Sequence, residues 1–181
     1  EQVSALPASI FAEEHLGDYA IQQLANLSVD AVGGLTAEQI VHYPASSVLN
    51  GFTPEFMGAV DADVIGALTA DQVGNIGPMA WHEIDADTLG AISPDSMTQF
   101  TDLGSVSDEA FSGLTADHIS ALPGPAFEEL SQYQISNLDP SVMSAFTADN
   151  IAALPAQAFS AFTEDHITNQ QAETFEAFNN Q

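Results

Sequence analysis

Residues 114–167 read LTADHISA, LPGPAFEE, LSQYQISN, LDPSVMSA, FTADNIAA, LPAQAFSA, FTEDHI. Written in eights, the stretch has two apolar columns. Slot 1 holds Leu114, Leu122, Leu130, Leu138, Phe146, Leu154 and Phe162; slot 6 holds Ile119, Phe127, Ile135, Met143, Ile151, Phe159 and Ile167. The same comb extends back through Leu68/Val73, Leu35/Ile40 and Tyr19/Leu24 to Phe11/Leu16. It gains one residue between Tyr43 and Phe52 and loses two between Phe100 and Val106, where TDLGS replaces a full unit. Three segments follow: an out-of-phase start at 1–10, an octad-repeat body at 11–167, and a tail at 168–181 that lacks the comb.

Apolar spacing of 5, 3, 5, 3 fits neither a continuous helix nor a strand. Proline decides between the remaining readings. Pro54, Pro94 and Pro140 fall in slot 3, and Pro44, Pro123 and Pro155 in slot 2. A helix running through these positions would lose hydrogen bonds and clash with its own preceding turn. Slot 2 is mostly Thr, Ser, Asp or Pro, so it reads as the N-cap, with slot 3 as the first helical residue. Thr36, Thr53, Thr69, Ser93, Thr115, Asp139 and Thr147 would cap. Slot 4 carries acids (Glu38, Glu55, Asp63, Asp71, Asp87, Asp95, Asp117, Asp149, Asp165), which suit the positive end of a helix. Slot 5 carries Gln39, Gln72, Gln134, His118, His166 and Asn150, where a Gln can reach back in a capping box. Slots 1 and 6 then form the hydrophobic staple.

One short helix per octad is the prediction. Such helices are too short to persist alone, so each must bury its staple against its neighbours. The expected fold is all-α, a right-handed α-solenoid of short helices, with slots 1 and 6 inside and small residues in slots 7 and 8 where helices pass closely. A weaker super-period (TAEQI at 36, TADQV at 69, TADHI at 115, TADNI at 147) suggests two or four octads per superhelical coil.

The composition narrows function by exclusion. The 181-residue chain has 26 Asp and Glu, no Lys or Arg, and no Cys, for a formal charge of −26. Without a base there is no phosphate grip on nucleic acid and no adhesion to an anionic membrane. A phosphate loop lacks its Lys, and thiolate metal sites and disulfides lack their Cys. Apolar residues make up 45% of the chain, and their strict spacing argues against disorder. No apolar run is long enough for a membrane-spanning helix. The pattern begins close to Glu1, as expected of a processed product or of a piece of something longer.

The octads FTPEFMGA (52–59) and ISPDSMTQ (92–99) resemble the L-[ST]-P-E-x-[IL]-x-x repeats of the mesothelin, stereocilin and otoancorin family. LTADQVGN (68–75) and LTADHISA (114–121) are similar to the ALTxxQIAALT repeats of giant bacterial surface proteins. The resemblance spans about residues 11 to 167. It implies a superhelix of short helices, an extracellular or cell-surface location, and a part in adhesion or a surface matrix; neither group implies catalytic residues.

Candidate chemistry competes at every point with a structural role. Asp61-Ala-Asp63 and Asp85-Ala-Asp87 have the form of oxygen-ligand metal pairs suited to Ca2+, and equally the form of a cap followed by a slot-4 acid. Diffuse screening of the acidic surface by Ca2+ is the expected ion effect. His15, His118 and His166 share slot 5, where they would bind a metal if the slots aligned, or replace Gln as capping residues. The serines have no neighbouring base, so no hydrolase is expected, and no cofactor beyond Ca2+ as a counterion. Trp81 and most phenylalanines occupy core slots. Asn26-Leu27-Ser28 matches a glycosylation sequon. Phe175 and Phe178 in the tail could cap the end of the repeats or, with Leu6 and Phe11 at the other end, mediate head-to-tail self-association. The expected function is that of a non-catalytic extracellular structural protein, a subunit of a filament, surface layer or adhesin that contacts itself or other surface proteins. The alternative is a calcium-dependent acidic matrix or ion-binding module.

Overall fold

The octad Leu114–Ala121 shows how the local rules work. Leu114 is extended, Thr115 caps, and the chain is α-helical over Ala116–Ala121. The Thr115 hydroxyl accepts the His118 N–H, while the His118 side chain accepts the Thr115 N–H, closing a capping box. Leu122 is extended again, at φ −67° and ψ 135°, and the next unit begins. Each full octad is therefore one helix followed by about two extended residues, which turn the chain before a second full turn can form. The computed structural model describes residues 28–46 and 52–169. Seventeen short helices, ten α and seven 3-10, are described in full, a further one begins at residue 45, and no strands occur among the described residues: the described chain is all-helical.

The predicted caps are largely where the pattern put them. Thr36, Thr53, Thr69, Thr115 and Thr147 each accept the N–H of the slot-5 residue. Pro54 and Pro140 occupy the first helical turn. Two positions differ. Asp61 stands at an N-cap without a side-chain hydrogen bond. Ser93 does not cap: after it the 3-10 helix Ser96–Gln99 starts late, and the Ser96 hydroxyl donates instead to the Leu68 carbonyl at 2.6 Å. A serine in slot 5 is too short to reach back for a capping box, and a buried hydroxyl needs a partner.

The octads are not all alike. From Glu109 onward 3-10 and α helices alternate: Glu109–Gly113, Gly124–Phe127, Pro140–Ala145 and Ala156–Ala161 are 3-10, while Ala116–Ala121, Gln132–Asn137, Ala148–Ala153 and Glu164–Thr168 are α. The alternation follows slot 5. Ala110, Ala126, Val142 and Ala158 mark the 3-10 units; His118, Gln134, Asn150 and His166 mark the α units. A slot-5 side chain that can close a capping box satisfies the first-turn N–H groups of an α-helix. The Ala or Val in the 3-10 units offers nothing to the cap; earlier in the chain Ala62–Gly66 is nevertheless α-helical with Val64 in slot 5, so the correlation holds only from Glu109 onward.

Packing partners lie three octads apart, rather than two or four. Pro54–Met57 packs on Pro78–Glu83, Ala62–Gly66 on Ala86–Ala91, Ala116–Ala121 on Pro140–Ala145, and Gln132–Asn137 on Ala156–Ala161, with starts 24 residues apart in each pair. The packed pairs run in three interleaved series along the chain. Slots 1 and 6 converge between them in one apolar cluster that includes Leu68, Val73, Trp81, Leu89, Phe100, Phe127 and Phe146. Trp81 meets Phe100 edge-on at 4.5 Å, and Phe127 meets Phe146 at 5.4 Å. Small residues mark the closest approaches. A Cβ added at Gly66 would lie 2.6 Å from the Ala91 carbonyl oxygen, and one at Gly90 2.8 Å from that of Gly113.

Candidate functional site

Slot 5 is where the buried polar chemistry of the molecule collects. Gln39, Gln72, Thr88, Ser96, His118, Gln134, Asn150 and His166 are the buried polar residues among those described, and all eight occupy that slot. Several use both ends of the side chain. Gln134 accepts the Ser131 N–H on Oε1 at 2.8 Å, and its Nε2 donates to the carbonyls of Val106 at 2.8 Å and Leu103 at 3.1 Å. Gln72 accepts from Thr69 and donates to Tyr43 at 2.7 Å and Ile40 at 2.8 Å. His118 accepts the Thr115 N–H on Nδ1 and faces the Ile92 carbonyl with Nε2 at 2.8 Å; His166 does the same with Thr163 and the Leu138 carbonyl.

The offsets identify a single rule. Ser96 to Leu68, Gln134 to Val106 and His166 to Leu138 each span 28 residues, which is three octads plus the step from slot 1 to slot 5. Gln72 to Tyr43 spans 29, across the one-residue insertion, and His118 to Ile92 spans 26, across the two-residue deletion. The slot-1 carbonyl lies in the extended linker, outside any helix, and the slot-5 side chain three octads later satisfies it. The bond survives both irregularities of the comb. Asn150 departs from the rule. Its Oδ1 accepts from Thr147, but its Nδ2 has no partner among the described residues; the side chain is one methylene short of the Leu122 carbonyl that the offset assigns to it.

The sequence-derived metal candidates fall elsewhere. Asp61 and Asp63 are exposed and border an open groove of about 530 Å³ with Leu35, Thr36 and Val64. Asp85 accepts the Thr88 N–H at 2.8 Å, and that bond holds its carboxyl below the usual range; Asp87 is exposed. Their helices, Ala62–Gly66 and Ala86–Ala91, pack on each other. Even so, no group of three or more His, Cys, Asp or Glu that would hold a metal ion occurs among the described residues. Asp85 is occupied as a cap, and Asp61 alone of the four is an N-cap whose side chain makes no cap hydrogen bond.

A second acidic groove, of about 240 Å³, is lined by Thr101, Asp102, Gly104, Pro125, Glu128 and Glu129. Sequence reasoning missed it. Its only trace there is the shortened unit at TDLGS, which brings Gly104 against Glu129, where an added Cβ would lie 2.9 Å from the Glu129 Cβ.

The remaining candidates have structural partners. Trp81 is buried, as are Phe52, Phe56, Phe100, Phe111, Phe127 and Phe146. Tyr133 is the exposed aromatic among the described residues, at 61%. His42 and His82 are exposed, and His42 Nδ1 bonds the Glu38 carbonyl. Ser120 donates to the Ala116 carbonyl of its own helix. No helix among the described residues is long and apolar enough to cross a membrane. The proposed self-association residues Leu6, Phe11, Phe175 and Phe178, together with His15 and the Asn26 sequon, lie outside the described residues. Compared with models of known families, with curated proteins and with solved structures, the chain gives no match.

Proposed function

We propose that the octads form a right-handed α-solenoid with three octads per coil, and that the molecule is a non-catalytic structural repeat protein of the extracellular space or cell surface. In this reading it serves as a subunit of a filament, surface layer or adhesin. The observation that carries the reading is the slot-5 ladder. Core slots and buried polar side chains hold one octad on the octad three units away, the caps hold each helix locally, and no convergent set of reactive groups is left over among the described residues. A stack built by nearest-neighbour contacts extends in one dimension, and its ends invite either a cap or another copy. The acidic surface supports the second reading, an ion-responsive matrix module. The nine slot-4 acids are all exposed, and no side-chain cation other than His opposes them.

Electron microscopy of the purified chain, with and without millimolar Ca2+ and at low and high NaCl, tests both readings. Filaments whose axial repeat matches one subunit support the structural polymer. Assembly that needs Ca2+ and is not reproduced by Mg2+ at equal ionic strength favours the ion-binding module. Separate, unassembled particles under every condition refute the filament form.

A further inference from the structure

Two of the slot-5 ladder residues can titrate, and the others cannot. His118 and His166 are both 2% exposed and both use both ring nitrogens. Their tautomer follows from the partners. The Thr115 and Thr163 backbone N–H groups can only donate, so each Nδ1 must accept and be unprotonated. The Ile92 and Leu138 carbonyls can only accept, so each Nε2 must carry the proton. The ring is therefore held neutral, with one hydrogen. A second proton has only Nδ1 to occupy, where it would point at a backbone N–H.

We propose that His118 and His166 make the stack acid-sensitive: protonating either ring opens the capping box of its own helix and loosens its hold on the octad three units earlier. The step adds one proton to Nδ1. The imidazolium then has two donors and no acceptor, so the Thr N–H loses its partner and the ring must turn away from the cap to find one for itself.

Among the described residues, the charged groups on the elements packed around the two rings are carboxylates. Beside His118 these are Asp117 on its own helix, Asp95 at the start of Ser96–Gln99, and Asp139 at the start of Pro140–Ala145. Beside His166 they are Glu164 and Asp165 on its own helix, and again Asp139. The Asp139 carboxyl is held below its usual range by the Ser141 N–H. With no Lys or Arg in the chain, nothing repels a proton arriving at these sites, and an imidazolium that has left its cap finds carboxylates within its neighbourhood. The loosened state is therefore stabilised as well as the native one disrupted.

The molecule contains its own control. Gln72 and Gln134 make the same pair of contacts from the same slot with a side chain that does not titrate. The test is the thermal midpoint, read by Trp81 fluorescence and circular dichroism between pH 8 and 5 at fixed ionic strength. It compares the wild type with H118Q/H166Q and with H42Q/H82Q, which removes two exposed histidines. Below about pH 6 the wild type should lose about 5 °C or more per pH unit relative to H118Q/H166Q, the slope of two linked protons, whereas H42Q/H82Q should follow the wild type. Superimposable pH profiles for the wild type and H118Q/H166Q overturn the proposal. Should the double variant not fold, the imidazole 15N shifts of the wild type decide. Both rings must remain in the Nε2–H form while the fold is intact, and a doubly protonated His118 or His166 in the folded protein refutes it.

Discussion

Replacing Gln134 by Met keeps the length and volume of the side chain and removes only its polar atoms. Three groups lose a partner: the Ser131 N–H, which gives up the capping-box bond at 2.8 Å, and the carbonyls of Val106 and Leu103, at 2.8 and 3.1 Å from Nε2. The carbonyls sit where Gln134 itself is 2% exposed, so water does not readily replace the lost donor. A buried group left unpaired costs about 1–3 kcal/mol, and a lost cap about 1 kcal/mol. The amide's own desolvation is recovered in the Met variant, which offsets part of the loss. The expected net is about 2–4 kcal/mol, or a midpoint lowered by about 5–15 °C for a chain of this size. Urea unfolding followed by Trp81 fluorescence and far-ultraviolet circular dichroism measures it, with an unchanged m-value as the sign that the same surface unfolds. A Gln134→Met loss below about 0.5 kcal/mol, no more than that of an ordinary surface substitution, would show that the slot-5 ladder decorates the stack without holding it.

Gly113→Ala should be strongly destabilising, because its Cβ would run into the Ala86 carbonyl oxygen, whereas Gly124→Ala meets nothing within 4 Å and should be neutral or gain up to about 1 kcal/mol; paired thermal melts separate the two. Asn150→Gln supplies the missing methylene and should gain about 1 kcal/mol by reaching the Leu122 carbonyl, which chemical denaturation would register as a higher midpoint; no gain would mean that the 28-residue rule fails at that octad. Asp85 has a folded pKa below its unfolded value, so its cap contributes stability above about pH 4 that is lost as pH falls through the lowered value; Asp85→Asn should flatten this part of the acid limb in a pH series of melts. Raising NaCl from about 0.02 to 0.3 M should raise the melting midpoint, since screening relieves self-repulsion at a formal charge of −26, and a fall in midpoint would contradict that account.

Much of this architecture is legible from residue types alone because the octad rules are local. A Thr in slot 2 accepts the slot-5 N–H wherever the two stand three residues apart, as at Thr36, Thr69 and Thr147, and no distant contact is needed for it. Proline confined to slots 2 and 3 marks helix starts, because its ring forbids the interior of a helix. The apolar slots identify Trp81, Leu89 and Phe127 as core, since a helix this short has only one face to bury. The acid pairs were ambiguous for the same reason. An Asp at a cap and an Asp at a metal look alike in sequence, and the Thr88 N–H on Asp85 is what separates them.

Three features depend on tertiary structure. The packing interval of three octads is set by how far each extended two-residue linker turns the chain, and no single octad encodes that angle. From Glu109 onward the alternation of α and 3-10 turns tracks whether slot 5 can close a capping box, a signal visible in Ala110, His118, Ala126 and Gln134 but meaningful only once its geometry is known. The ladder itself is non-local. The carbonyls of Val106 and Ile92 are orphaned by the extended linkers, and a side chain 28 or 26 residues later satisfies them. Local sequence determined where each helix starts and which face it buries, because caps and staples act within six residues; the stack, its interval and its buried histidines were decided only where octads far apart in the chain meet.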